Sequence, residues 1–463
     1  MTKKTRTKLF LFFCLAFLII TPLTALYAAG YKINLTWPPK FGQTLQKTGM
    51  FIFDTQPRGA KIYLDGKLQQ KFFDKYFSLE SDFVTTPTKI KNVLPGQHDI
   101  KIELDGYWPW TKKLEIHPGE STYAEDINLF KKNLPLSILG IKNPLIKQSP
   151  DSKYLALIND KKIYALNQET EEIIEFPDLI DSSLENKILW APDSQKFIAD
   201  LSALKDNKAM FDLANQDKPI LLKELVKKNI DNVKWGNNKI YYQYKNSINS
   251  FDLNYNVNNT IFSGENYLDY LVSDNYIFII AKEKTDNSIK LRTYSTKNLE
   301  LITEIDLPLS SGYELTGYKY NLLNLYDSNH QILYLINPAS LVNPLKEIIN
   351  NVKYTQWIDS QKLLYANDFE VWLFDLSQGQ KNILTRISYP IIGIAWHPSN
   401  NYIFYATENS LNIIELDQRE KRNITELIWL QKITSIHLNK KGNALYFQAQ
   451  IGNQEGLYKL EIH

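Results

Sequence analysis

Cysteine is nearly missing: Cys14 is the only one in 463 residues, and it sits in an apolar run. One thiol excludes a disulfide framework, a cysteine zinc cluster and a catalytic thiol assembled within a single chain. It does not separate an oxidising exterior from a cytosol. Histidine is scarce as well. The six are His98, His117, His330, His397, His437 and His463, and none forms a His-x-x-x-His or His-Glu-x-x-His pair, so a zinc hydrolase has no obvious ligand set. Gly-x-Ser-x-Gly elbows, Asp-x-Asp-x-Asp-Gly calcium loops and Gly-rich phosphate cradles are also absent. No cofactor, metal or catalytic residue is assigned. Charge of one sign is lacking too. The formal charge of +2 comes from Lys3, Lys4, Arg6 and Lys8, and the rest of the chain holds 49 basic against 51 acidic side chains. Such balance lacks the basic excess of a nucleic-acid binder.

Large aromatics are plentiful, with 28 Tyr and 22 Phe against only 18 Gly, in a chain that is 44% apolar and 22% charged. This composition folds, and it leans towards strands, because aromatics suit a pleated, half-buried surface. The length corresponds to about three domains at ~150 residues each, unless a propeller or large barrel breaks that rule.

The N-terminal basic cluster precedes a run of roughly 20–22 residues without a charge, enough for a helix to cross a ~30 Å hydrocarbon core. Basic residues before the run and none directly after it predict an inside N-terminus and an outside bulk, a single-pass anchor over residues 1–31. A cleaved signal peptide is the competing reading and would leave a secreted protein. The sites ending at Ala28 and Ala29 put large side chains where cleavage wants small ones, which favours the anchor. Residues 32–48 read as a polar, Pro-containing linker in which Trp37 either rests at the membrane interface or packs on the next domain.

From Gly49 the pattern is strand–turn–strand. A short β-run leads to the turn Pro57-Arg58-Gly59-Ala60, then the alternating Lys61-Ile62-Tyr63-Leu64 meets Asp65-Gly66, a strong hairpin signal. Thr86-Pro87, Leu94-Pro95-Gly96 and Asp105-Gly106-Tyr107 follow as further turns. This order resembles the PEGA domain, a small extracytoplasmic β-domain, over residues 49–131. Arg58 stands where the name motif usually has Glu, and residues 67–84 are longer than the family's usual connection, which predicts an added loop or short helix. The resemblance implies an envelope module, and it implies no catalytic activity.

Beyond Asn133 the sequence repeats about every 40 residues: a turn, an apolar β-run, a polar gap and a second β-run. The turns include Ser149-Pro150-Asp151-Ser152, Trp190-Ala191-Pro192-Asp193-Ser194, Trp357-Ile358-Asp359-Ser360 and Trp396-His397-Pro398-Ser399-Asn400. A four-stranded unit of this length cannot bury both faces alone, but radial stacking buries them against neighbours. The reading is all-β, with a β-propeller over residues 134–463. The Trp-x-Pro-Asp-Ser turn resembles the WD40-like, TolB-type propeller repeat. Eight blades are counted, with seven as the alternative. The last unit is one strand short, and residues 134–141 are expected to supply it. Trp190, Trp235, Trp357 and Trp396 share one repeated position, which reads as inter-blade packing, and the Asp–Ser pairs read as Asx turns.

Tyr107, Trp108 and Trp110 are the candidate ligand contacts, since exposed aromatics can stack on sugars; the alternative is that they fill the core. The functional expectation is a membrane-anchored, extracytoplasmic binding or scaffold protein of the cell envelope. Its propeller would present a recognition face to a protein, peptide or cell-wall glycan, without catalysis. A polysaccharide or peptide hydrolase or lyase is the first alternative, because a carboxylate pair assembled from separate blades leaves no sequence motif. A structural surface-layer component is the second.

Overall fold

The structure, a computed structural model, describes residues 3–33, 45–70, 83–159, 162–177, 187–200, 208–228, 230–236 and 238–463. Trp37, most of the added loop expected at 67–84 and the end of the second blade's first β-run lie outside the described residues.

Lys3–Ala28 is one helix with Pro22 inside it and no buried residue. At ~1.5 Å per residue it is long enough to cross a membrane, and its composition is apolar enough to do so. Two residues later the chain turns into a short ladder: Tyr31–Ile33 pairs antiparallel with Leu45–Lys47. The Thr48 hydroxyl and backbone N–H both donate to the Gly30 carbonyl, each at 2.7 Å. The ends of the expected linker are therefore tied to each other.

Contacts divide the chain into two units. The first is Met1–Asn133 with Ile414–Leu427 and Ile462–His463; the second is Leu134–Ile413 with Ile428–Glu461. In the first, a three-stranded sheet (Thr88–Val93, Gly49–Gln56, Ser121–Asn128) and a four-stranded sheet (Lys67–Leu68, Lys61–Leu64, Gly96–Glu103, Trp110–Ile116) enclose one core. Trp110–Ile116 alternates buried and exposed along its whole length, as a strand with one face on a core must. Phe51, Phe53, Ile62, Ile102 and Leu114 fill that core. At the hairpin tip Asp65 and Gly66 have φ of 51° and 75°, the two left-handed residues that a two-residue I′ turn requires. The proline motifs meet: the Thr86 hydroxyl lies 2.6 Å from that of Thr55 and accepts the Ala60 N–H at 3.1 Å, and the Thr86 carbonyl accepts the Gly59 N–H at 2.8 Å.

Among the described residues the second unit is a propeller of eight four-stranded sheets. Seven take four consecutive strands each, at residues 145–176, 188–221, 231–263, 266–307, 313–349, 354–386 and 391–429. The eighth joins Lys432–Leu438, Ala444–Ile451 and Gln454–Glu461 to Leu136–Leu139. The expected closing strand is thus in place. It runs against the C-terminal strand with Leu136 opposite Lys459. Part of blade 7, the arm Ile414–Leu427, clusters with the first unit.

Apolar clusters between blades hold the ring. Phe176 of blade 1 packs with Phe197 and Phe211 of blade 2, with ring centroids 5.8 and 5.1 Å away. Leu155, Leu157, Tyr446 and Leu457 bind blade 8 to blade 1. A sheet that exposed such faces to water would forgo ~25 cal/mol per Å² of apolar surface, which is why single blades do not stand alone. Polar links follow the same seams. Buried Asp269 of blade 4 accepts the Leu315 N–H of blade 5 at 2.7 Å and pairs with Lys234 of blade 3 at 3.0 Å. Asp151, Asp193 and Asp359 each accept backbone N–H groups two residues on, as Asx turns do.

Candidate binding site

First strands of neighbouring blades run side by side around the propeller axis. Those of blades 1, 6, 7 and 8 (Leu145–Gln148, Tyr354–Trp357, Ile391–Trp396 and Lys432–Leu438) frame a cavity of about 680 Å³. β-Bulges shape it. Register shifts fall between Ile391 and Gly393 and between Ile433 and Ser435, and each re-aims the residues beyond it. Past the second bulge Ile436 and Leu438 are buried, whereas Ser435 and His437 keep part of their surface and line the cavity. Glycine at 393 allows the close approach of blades 7 and 8, since a Cβ there would meet the Ile436 side chain at 3.1 Å.

Three of the repeated tryptophans pack between blades, and two of the four positions also reach the cavity. Indole N–H groups of Trp190 and Trp235 donate to the carbonyls of Lys147 and Leu189, on the first strand of the preceding blade, at 2.9 and 2.8 Å. These two pack between blades as the repetition predicts. Trp357 packs between blades too, against the apolar cluster of blades 5 and 6 with its ring centroid 5.9 Å from that of Tyr320, and it and Trp396 also line the cavity. Their N–H groups are taken by the side chains of Asn324 (3.3 Å) and Asn400 (2.8 Å). What they offer to a ligand is aromatic surface.

The electrostatics of the lining are one-sided. Among the described residues it carries Lys147 and Lys440, neither with an acidic partner, and no carboxylate. Burial, reinforced by the Lys147 ammonium, pushes the His437 imidazole down to about 4, so it is neutral near pH 7. His437 Nε2 and Ser435 Oγ are sealed from solvent without a hydrogen-bond partner. Buried polar atoms are rarely left so, and the exceptions call for an explanation. Elsewhere, among the described residues, no group of three or more His, Cys, Asp or Glu is arranged to hold a metal ion.

Of the three aromatics singled out in the sequence, Trp110 lies in the core of the first unit, 6% exposed. Its N–H donates to Glu415 at 2.9 Å. Beside it the Lys112 ammonium, fully buried, pairs with Glu415 at 3.0 Å and Asp417 at 3.3 Å. Burial alone would raise the Asp417 carboxyl, but Arg419 and Lys112 hold it below its ordinary value. Tyr107 packs against the same core, half-buried. Trp108 is half-buried, with the Lys132 ammonium 4.9 Å from its ring centroid. Of the two turn histidines, one is buried and the other stays solvated. His397 is buried and reaches Ser399 and the Gly442 carbonyl of blade 8 at 2.7 and 3.1 Å. The His330 Nδ1 lies 2.7 Å from buried Asp327, although the ring remains largely exposed.

Residues 80–133 match the PEGA domain. That stretch holds the Thr86-Pro87, Leu94-Pro95-Gly96 and Gly106-Tyr107 motifs of the first unit. No curated protein matches the chain. Among solved structures, a eukaryotic initiation factor is similar at 12% identity over 69% of this chain and 88% of its own, with a TM-score of 0.47. A chain of the mitotic checkpoint complex is similar at 11% over 72% and 93%, with a TM-score of 0.38. The Cps50 (Swd1) β-propeller domain of Myceliophteria thermophila is similar at 11% over 59% and 96%, with a TM-score of 0.40.

Proposed function

We propose that this chain is a binding protein of the cell envelope, held by its N-terminal helix with the PEGA match and the propeller on the extracytoplasmic side. The observation that carries the reading is the cavity at the propeller axis. It is concave, lined by tryptophan surface and a few convergent polar groups, and built on rigid strands, the usual makeup of a recognition site. Tyr107 and Trp108 of the PEGA domain are a second, smaller contact surface. The basic cluster before the helix supports an inside N-terminus. Envelope protein, peptide and glycan all fit a propeller face; conversion of the ligand has less support, because a glycosidase needs two carboxylates about 5–10 Å apart. The described lining of this cavity supplies none.

The test is retention. Full-length protein in detergent micelles should co-sediment with purified cell-wall sacculi and leave their composition unchanged. Release of soluble sugar or peptide from the sacculi at catalytic amounts of protein would replace binding by hydrolysis.

A further inference from the structure

We propose that the axial cavity takes an acidic saccharide, its carboxylate drawn to Lys147 and Lys440 and its sugar rings laid against Trp357 and Trp396. This rests on the binding reading above and adds the ligand's class. Charge comes first. Two ammonium groups without counter-charges face a described wall without a carboxylate, so an anion gains on entry and a cation loses. Net charge over the rest of the chain is close to zero, so this is a local feature and not the field of a basic protein.

Shape and surface chemistry then narrow the anion. The two indoles have their N–H groups occupied, which leaves ring faces, and a ring face suits the flat C–H side of a pyranose. At about 680 Å³ the cavity falls within the ~300–1,000 Å³ range of small-ligand sites, room for a short oligosaccharide. The balanced charge of the chain beyond Lys8 gives a nucleic acid no support.

The experiment is calorimetric titration of the full-length protein in micelles with trigalacturonate, with uncharged galactotriose and with a tripeptide bearing a free C-terminal carboxylate. Trigalacturonate is expected to bind at least about tenfold tighter than galactotriose, the preference a charge-assisted contact confers. In Lys147→Gln/Lys440→Gln that preference should vanish while the melting temperature holds. Trp357→Phe is the second variant, expected to weaken both sugars and keep the preference. Equal binding of the two sugars overturns the inference and leaves the binding reading standing. Binding of the peptide in place of either sugar overturns it as well. If neither sugar binds but sacculi are still retained, the cavity is not a saccharide site; if sacculi are not retained either, both readings fall.

Discussion

His437 shows what one residue contributes through its surroundings. Burial and Lys147 hold its folded-state pKa down at about 4, against about 6.5 in an unfolded chain. Between those values the unfolded chain takes up a proton that the folded one refuses. The stability from the neutral ring is therefore complete above pH 6.5 and is lost as the pH falls towards 4, by up to about 3 kcal/mol. No described carboxylate lines the cavity to offset this. His437→Gln should melt with a shallower pH dependence than the parent between pH 7 and 4.5; superimposable profiles would show that the ring is not a titrating penalty. Lys112 is a buried ammonium paired with two carboxylates. Such a pair adds little over a packed apolar pair, but losing one partner strands the other.

Among the elements, the closing strand Leu136–Leu139 has a single point of dependence. A Cβ at Gly456 would lie 2.5 Å from the Leu139 carbonyl oxygen, and backbone cannot rotate away as a side chain can. Gly456→Val should push that strand off its partner, at a cost of about 1–3 kcal/mol for overpacking. The expected readout is earlier unfolding with dye binding to the freed apolar edge; an unchanged melt would mean that the strand does not seal the ring. This seam was readable beforehand because the repeats ran one strand short at residues 456–462 and an unused apolar run lay at 134–141. Blade turns were equally legible, since Asp151, Asp193 and Asp359 act on neighbours two residues away. The cavity was not. Lys147, Trp357, Trp396 and Ser435 come from four blades, and only ring closure brings them together. The Trp repeat even concealed it, because the position that serves packing at Trp190, Trp235 and Trp357 also lines the cavity at Trp357 and Trp396. Trp110 was ambiguous for another reason: its partner, Glu415, stands 305 residues away.

At the level of the whole molecule the apolar helix governs where everything else can work. Its side chains are unburied by protein along the full length of Lys3–Ala28, which in water would be an aggregation hazard and in lipid is ordinary. Full-length protein should sediment with membranes and resist alkaline extraction, whereas a chain lacking residues 1–29 should remain in the supernatant. Protease added to the outer face of intact cells should remove an epitope placed after Lys131. Protection of that epitope would reverse the orientation proposed here.

The pairing of Leu136–Leu139 with Gln454–Glu461 also orders events in time. A nascent chain holds one half of this clasp from early in synthesis and has to wait more than three hundred residues for the other. Until then Leu136–Leu139 is an unpaired edge. A prematurely terminated chain would retain that edge permanently, and quality-control proteases could recognise it without reading any part of the binding site.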